Sequence, residues 1–157
     1  MNIGVRELEK FKVYRYGEDE PWGIVRKACL NRETNRLEAL AVDTCSLIPL
    51  RRIIGYEYVE CIRGKSIFLK KGCISSPAEK SVDTVFDTAA FDTAAFGTAA
   101  KPRERLRDLS FDTETGEITD VVVSRNKITK KRKIPINKIY IKDNTIYIKK
   151  QGGNDNE

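Results

Sequence analysis

The chain contains no histidine. That absence removes Ser-His-Asp triads, Cys-His nucleophile pairs and histidine-ligated metal sites. It has one tryptophan and one methionine. Its four cysteines, Cys29, Cys45, Cys61 and Cys73, are spaced 16, 16 and 12 residues apart with no Cys-x-x-Cys. That spacing suits neither a zinc knuckle nor a thioredoxin-type dithiol, and the four read as small buried hydrophobes. No apolar run approaches the roughly 18 residues of a membrane span. Residues 1–10 are charged and lack the apolar stretch of a signal peptide, which points to a cytoplasmic protein. There is no GxGxxG, Walker A or GxSxG pattern. Acid–base work would fall to a buried carboxylate or lysine, and no pair stands out. The sequence names no reaction, cofactor or metal, and the expectation is a protein that is not an enzyme.

What is present is a chain of 157 residues, 40% apolar and 33% charged. That is enough for one ordinary domain or two small ones. The net charge of +6 is uneven. Residues 1–100 carry 15 Lys/Arg and 14 Asp/Glu, whereas residues 101–150 carry 14 and 7. The basic character belongs to the C-terminal third.

Between residues 74 and 100 the composition changes. Phe86-Asp87-Thr88-Ala89-Ala90 is repeated as residues 91–95 and again as Phe96-Gly97-Thr98-Ala99-Ala100. A period of five fits neither helix nor strand, and three copies are too few for a solenoid. The segment reads as a duplicated linker. Removing it exposes a longer repeat. Residues 31–42 match residues 112–123 at an offset of 81. Ile48-Pro49-Leu50-Arg51-Arg52-Ile53 matches Ile134-Pro135-Ile136-Asn137-Lys138-Ile139 at 86, and Ser66-Ile67-Phe68-Leu69 matches Thr145-Ile146-Tyr147-Ile148 at 79.

The elements read as strands. Asp143-Asn144 is a two-residue turn that sets Ile139 opposite Ile148 and Ile141 opposite Ile146 on one face, with Tyr140 opposite Tyr147 on the other. In the first copy Val59 and Cys61 face Ile67 and Leu69 across Arg63-Gly64-Lys65. Residues 112–117 turn the chain between strands 106–111 and 118–123. No segment sustains helical periodicity over 12 residues. The fold expected is all-β, and copies of this size suit small closed barrels rather than sandwiches. The division is 1–73 for the first barrel, 74–100 for the linker, 101–150 for the second barrel and 151–157 for a disordered tail.

These elements resemble the PRC-barrel family. The residues concerned are the strand Gly23-Ile24-Val25, a polar turn, the strand over 37–42, Ile48-Pro49 and a closing hairpin. The second copy follows the family pattern more closely in Asp108-Leu109-Ser110-Phe111-Asp112-Thr113-Glu114-Thr115-Gly116 and the strand after it. The first copy has Asn35 where the second has Gly116, and Glu104 stands where the first copy has Gly23. The resemblance implies a non-enzymatic binding or assembly module, an adaptor for a protein partner. Because one branch of the family is a ribosome maturation factor, it also leaves open an RNA- or ribosome-associated role.

The candidate partner-binding residues are Lys127, Lys130, Lys131, Arg132 and Lys133, in a basic loop that is five residues longer than its match at the 86 offset. Such a loop neutralises phosphates, or it is a solvated hairpin whose charges guard an edge strand. Asp112, Glu114 and Glu117 read as turn formers rather than a calcium loop. Trp22 reads as a plug of the first barrel, with a partner contact as the alternative.

Overall fold

The computed structural model describes residues 1–31, 34–77, 85–87, 95–97, 105–125, 128, 130–142 and 145–148. Among them the chain is all-β: fifteen strands, a four-residue helix and short 3-10 turns. It divides into two compact units, Met1–Thr88 with Phe111–Glu117, and Ala89–Ser110 with Ile118–Glu157. The turn Phe111–Glu117 therefore clusters with the first unit, although it lies within the second copy of the sequence repeat.

The first unit holds β1 (Asn2–Gly4), α1 (Val5–Leu8), β2 (Lys12–Tyr14), β3 (Gly23–Asn31), β4 (Arg36–Thr44), β5 (Arg51–Gly55), β6 (Val59–Arg63), β7 (Ser66–Leu69), β8 (Ser75–Pro77) and β9 (Val85–Asp87). Its main sheet runs β6-β7-β2-β3-β4-β5-β8, with β9 also on β3. Among the described residues the order is open from β6 to β8. β4 is an interior strand, and Leu37, Ala39, Leu40, Ala41 and Val42 are all buried on it, the near-continuous apolar run of a strand covered on both faces. Val5 and Leu8 of α1, Val13, Val25, Ile54, Ile67 and Phe111 belong to the same core.

Two bulges shape the β3–β4 pair. One sets Arg26 out of register, and the other does the same for Glu38. An extra residue bends its strand and re-aims its side chain. Glu38 Oε1 accepts from Asn31 Nδ2 at 2.9 Å, while its Oε2 is buried without a partner.

The hairpin β6–β7 differs from expectation by one residue. Arg63 pairs with Ser66, so the turn is Gly64-Lys65. Gly64 has φ +59°, which a two-residue turn of type II′ needs at its first position. A bulge at Glu60 moves Cys61 opposite Phe68 and leaves Ile62 opposite Ile67. Ile62 is buried, and Cys61 is only half-buried.

The second unit holds β10 (Ala95–Gly97), β11 (Arg105–Asp112, its last two residues in the turn above), β12 (Ile118–Ser124), β13 (Arg132–Pro135), β14 (Ile139–Lys142) and β15 (Thr145–Ile148). β13 pairs antiparallel with β12 and, among the described residues, ends its sheet, and β10 joins β15-β14. Leu106, Leu109, Ile118, Val121, Val123, Ile134 and Ile139 are buried. β14 and β15 pair with Ile139 opposite Ile148, Tyr140 opposite Tyr147 and Ile141 opposite Ile146, the register read from the sequence. The turn residues Asp143 and Asn144 lie outside the described residues, as do the side chains of residues 140–148 and the tail 151–157.

The order strand, strand, strand, 3-10 turn, hairpin occurs in both copies, at a spacing that drifts by one residue at each end: 81 at the turn residues Asn35 and Gly116, 80 through the middle and 79 at the last strand. The 3-10 turns Tyr56–Tyr58 and Ile136–Lys138 are 80 residues apart, as are the ends of β4 and β12. Ile54, not Ile48, therefore corresponds to Ile134. Ile54 and Ile134 are buried, while Ile48 is 76% exposed. The 86-residue match of the two Ile-Pro pairs is a coincidence of sequence, and the loop of the second copy is not five residues longer: it runs over 125–131 against 45–50. The exchange of Asn35 for Gly116 is genuine: Asn35 has φ +53° and Gly116 +78°, the left-handed conformation these two residue types adopt most readily.

The linker is not featureless. Ser75–Pro77 pairs with β5, Val85–Asp87 with β3 and Ala95–Gly97 with β15.

Candidate functional site

The loop between β4 and β5 carries Cys45-Ser46-Leu47-Ile48-Pro49-Leu50. Leu47 is fully exposed, and Ile48 and Leu50 expose 76% and 59%. Single exposed leucines are ordinary; a run of four apolar residues held out in water is not. The run is fixed by its flanks. Thr44 N donates to Leu50 O and Leu50 N to Thr44 Oγ1, both at 2.9 Å. Ser46 Oγ lies 2.9 Å from Thr44 Oγ1 and donates to Ile48 O at 2.8 Å. The loop is thus preorganised, which lowers the ordering cost of binding.

The β2–β3 loop lies alongside. Cys45 N donates to Trp22 O at 2.8 Å. Trp22 is half-buried and does not plug the core. The Arg15 guanidinium lies 5.8 Å from its ring centre and pairs with Glu18 at 2.9 Å. Tyr16 is exposed beside them. At the loop's base Asp43 pairs with Arg26 at 3.0 Å and Arg51 at 2.9 Å. The Asp43 hydrogen bond, then its charge, raises the Arg51 guanidinium further above its already high value. This end is an apolar tip with a half-exposed tryptophan and a rim of both charge signs.

The same loop position of the second copy is basic. Residues 127–133 correspond to residues 47–53 at the 80-residue spacing. Lys130 and Lys131 precede β13, and Arg132 and Lys133 lie in it. All four are exposed, and so is Ile128. Lys127 lies outside the described residues. Because β13 ends its sheet among the described residues and closes with Pro135, its cations stand where edge-guarding charges belong.

A cavity of about 320 Å³ also lies in the first unit, lined by Arg36, Leu37, Tyr56, Glu57, Lys70 and Thr115 among others. Arg36 Nη2 is committed to Thr115 O at 2.6 Å. The acidic turn is a turn: Asp112 Oδ1 accepts from Glu114 N at 2.8 Å and Asp112 O from Gly116 N at 2.8 Å. Among the described residues no group of three or more Cys, Asp or Glu could hold a metal ion. All four cysteines are free thiols, but only Cys29 is buried; Cys45 is exposed and Cys61 and Cys73 are half-buried. Burial, then the charge of Glu57, raises the Cys73 thiol's pKa, which disfavours its reactive thiolate.

Sequence reasoning missed the tip because Ile48-Pro49 was matched to a buried strand. The available signal was Thr44 and Ser46 flanking four apolar residues that end in Pro49-Leu50, a capped loop rather than a strand. Among the described residues no helix is long and apolar enough to cross a membrane. No protein-family model matches the chain, and no curated protein matches it.

Proposed function

We propose that the chain is a non-catalytic cytoplasmic adaptor of two PRC-barrel-like units, and that the first unit docks a protein partner through the loop Leu47-Ile48-Pro49-Leu50. The observation that carries this reading is the hydrogen-bonded display of those residues in water. Apolar anchors with an aromatic neighbour and a polar rim are the anatomy of a protein-binding patch. The rim carries Arg15, Arg26 and Arg51 against Glu18 and Asp43, a balance that suits a protein surface better than a polyanion. The repeated strand order and the residues of the second copy support the PRC-barrel part.

The test is capture from a lysate of the source organism by the full chain and by L47S/I48S/L50S. The reading expects a partner that the wild type retains and the triple variant loses. A partner set unchanged by the three serines refutes it.

A second reading, RNA or ribosome association, rests on the exposed run Lys130, Lys131, Arg132 and Lys133. Under it, RNase treatment releases what the chain captures.

A further inference from the structure

Three copies of one pentapeptide serve two short strands. Val85-Phe86-Asp87 forms β9 on β3, with Cys29 opposite Asp87, Leu30 opposite Phe86 and Asn31 opposite Val85. Ala95-Phe96-Gly97 forms β10 on β15, with Phe96 opposite Tyr147. In each case the repeat's phenylalanine is the central residue of a three-residue strand. The first belongs to the first unit and the other to the second. The middle copy, Phe91-Asp92-Thr93-Ala94-Ala95, is identical to Phe86-Asp87-Thr88-Ala89-Ala90.

β4 occupies one side of β3 along its length, and on the other side residues 10–13 pair with Gly23, Ile24 and Val25. At Cys29–Asn31 that side of β3 takes β9 as an added strand. We propose that this edge is a strand-addition site for the Phe-Asp-Thr-Ala-Ala repeat, and that the middle copy is an equivalent occupant. The proposal stands apart from the adaptor reading. A shift by one repeat keeps the residue opposite each β3 position the same, except that Ala90 replaces Val85. A slip of one residue would instead turn every side chain to the other face. The chain between β8 and the added strand lengthens from residues 78–84 to residues 78–89, which disfavours the shifted register only about twofold by loop closure. The stretch between the two paired triplets shrinks from residues 88–94 to residues 93–94, about 17 Å less reach.

Native Cys29 supplies the test. Asp87→Cys places a thiol directly across from it, within disulfide range; Asp92→Cys does so only after the one-repeat shift. Each full-length variant is equilibrated in a glutathione buffer, its disulfides are mapped by mass spectrometry, and non-reducing gels separate links within a chain from links between chains. Both variants are expected to form an intramolecular bond to Cys29, D92C to within about tenfold of D87C. A bond in D87C alone, a D92C bond only between chains, or no bond to Cys29 in either variant overturns the proposal.

Discussion

The Tyr56 hydroxyl donates to the carbonyl oxygen of Thr113 at 2.7 Å across 57 residues of sequence. Its ring stands edge-on to Phe111, 6.1 Å between centres. Arg36 holds Thr115 O, and Leu37 N donates to Gly116 O at 2.7 Å. These bonds tie the turn Phe111–Glu117 into the first unit. Tyr56→Phe deletes the hydroxyl and leaves that carbonyl without its partner. It is expected to cost about 1–2 kcal/mol in denaturant unfolding.

The same tyrosine gives an alkaline signature. Burial, and then the charge of Asp112, raises the phenol's pKa in the folded chain. Below about pH 10 both states keep the proton and the stabilisation is complete. Above it the unfolded chain loses the proton first, so stability falls as pH rises, by at most about 1.4 kcal/mol per pH unit. Tyr56→Phe removes this contribution. The stability gap between wild type and variant should narrow above about pH 10; a gap independent of pH contradicts the assignment.

Gly116 has φ +78°, and a Cβ there would lie 3.0 Å from the Tyr56 ring. Gly64 has φ +59° with open space around it. Both alanine variants carry the penalty of a positive φ, about 1–3 kcal/mol. Gly116→Ala adds a contact that the buried ring must yield to, so it should melt lower than Gly64→Ala. Equal melting temperatures would mean that the turn does not pack on Tyr56.

Much of this fold was legible where local chemistry decides it. Period-two isoleucines around Asp143-Asn144 specified the β14–β15 register, because a one-residue slip would invert both faces. The strands around residues 112–117 were legible for the same reason. The bulges at Arg26, Glu38 and Glu60 were not, since an extra residue in one strand leaves no mark on composition. The placement of Phe111–Glu117 in the first unit depends on Tyr56 and Arg36, too distant in sequence for any local pattern to show. The apolar tip was hidden because Ile-Pro occurs in both copies, once in water and once in a strand.

That distinction is measurable. Ile54→Ala empties a fully buried site and should cost about 2–5 kcal/mol. Ile48→Ala removes methylenes that already face water, and its effect should stay within about 0.5 kcal/mol. Similar losses at both positions would restore the 86-residue alignment and remove the tip.

The basic run separates the two functional readings. If Lys130, Lys131, Arg132 and Lys133 contact single-stranded RNA, the affinity should fall with salt at a log–log slope near about −3, and serine at all four should abolish it. The adaptor reading expects weak RNA binding at physiological salt and no change in partner capture on that substitution.

Cys45 reports most directly on the central claim, because it is an exposed thiol at the base of the apolar tip. Its rate of maleimide labelling can be followed by mass spectrometry in the free chain and in the captured complex, with half-buried Cys61 and Cys73 as internal references. If the partner sits on Leu47-Ile48-Pro49-Leu50, Cys45 labelling slows by at least about tenfold in the complex while the references hold their rates. Unchanged labelling of Cys45 in a complex that still contains its partner would place the docking surface elsewhere and contradict the account.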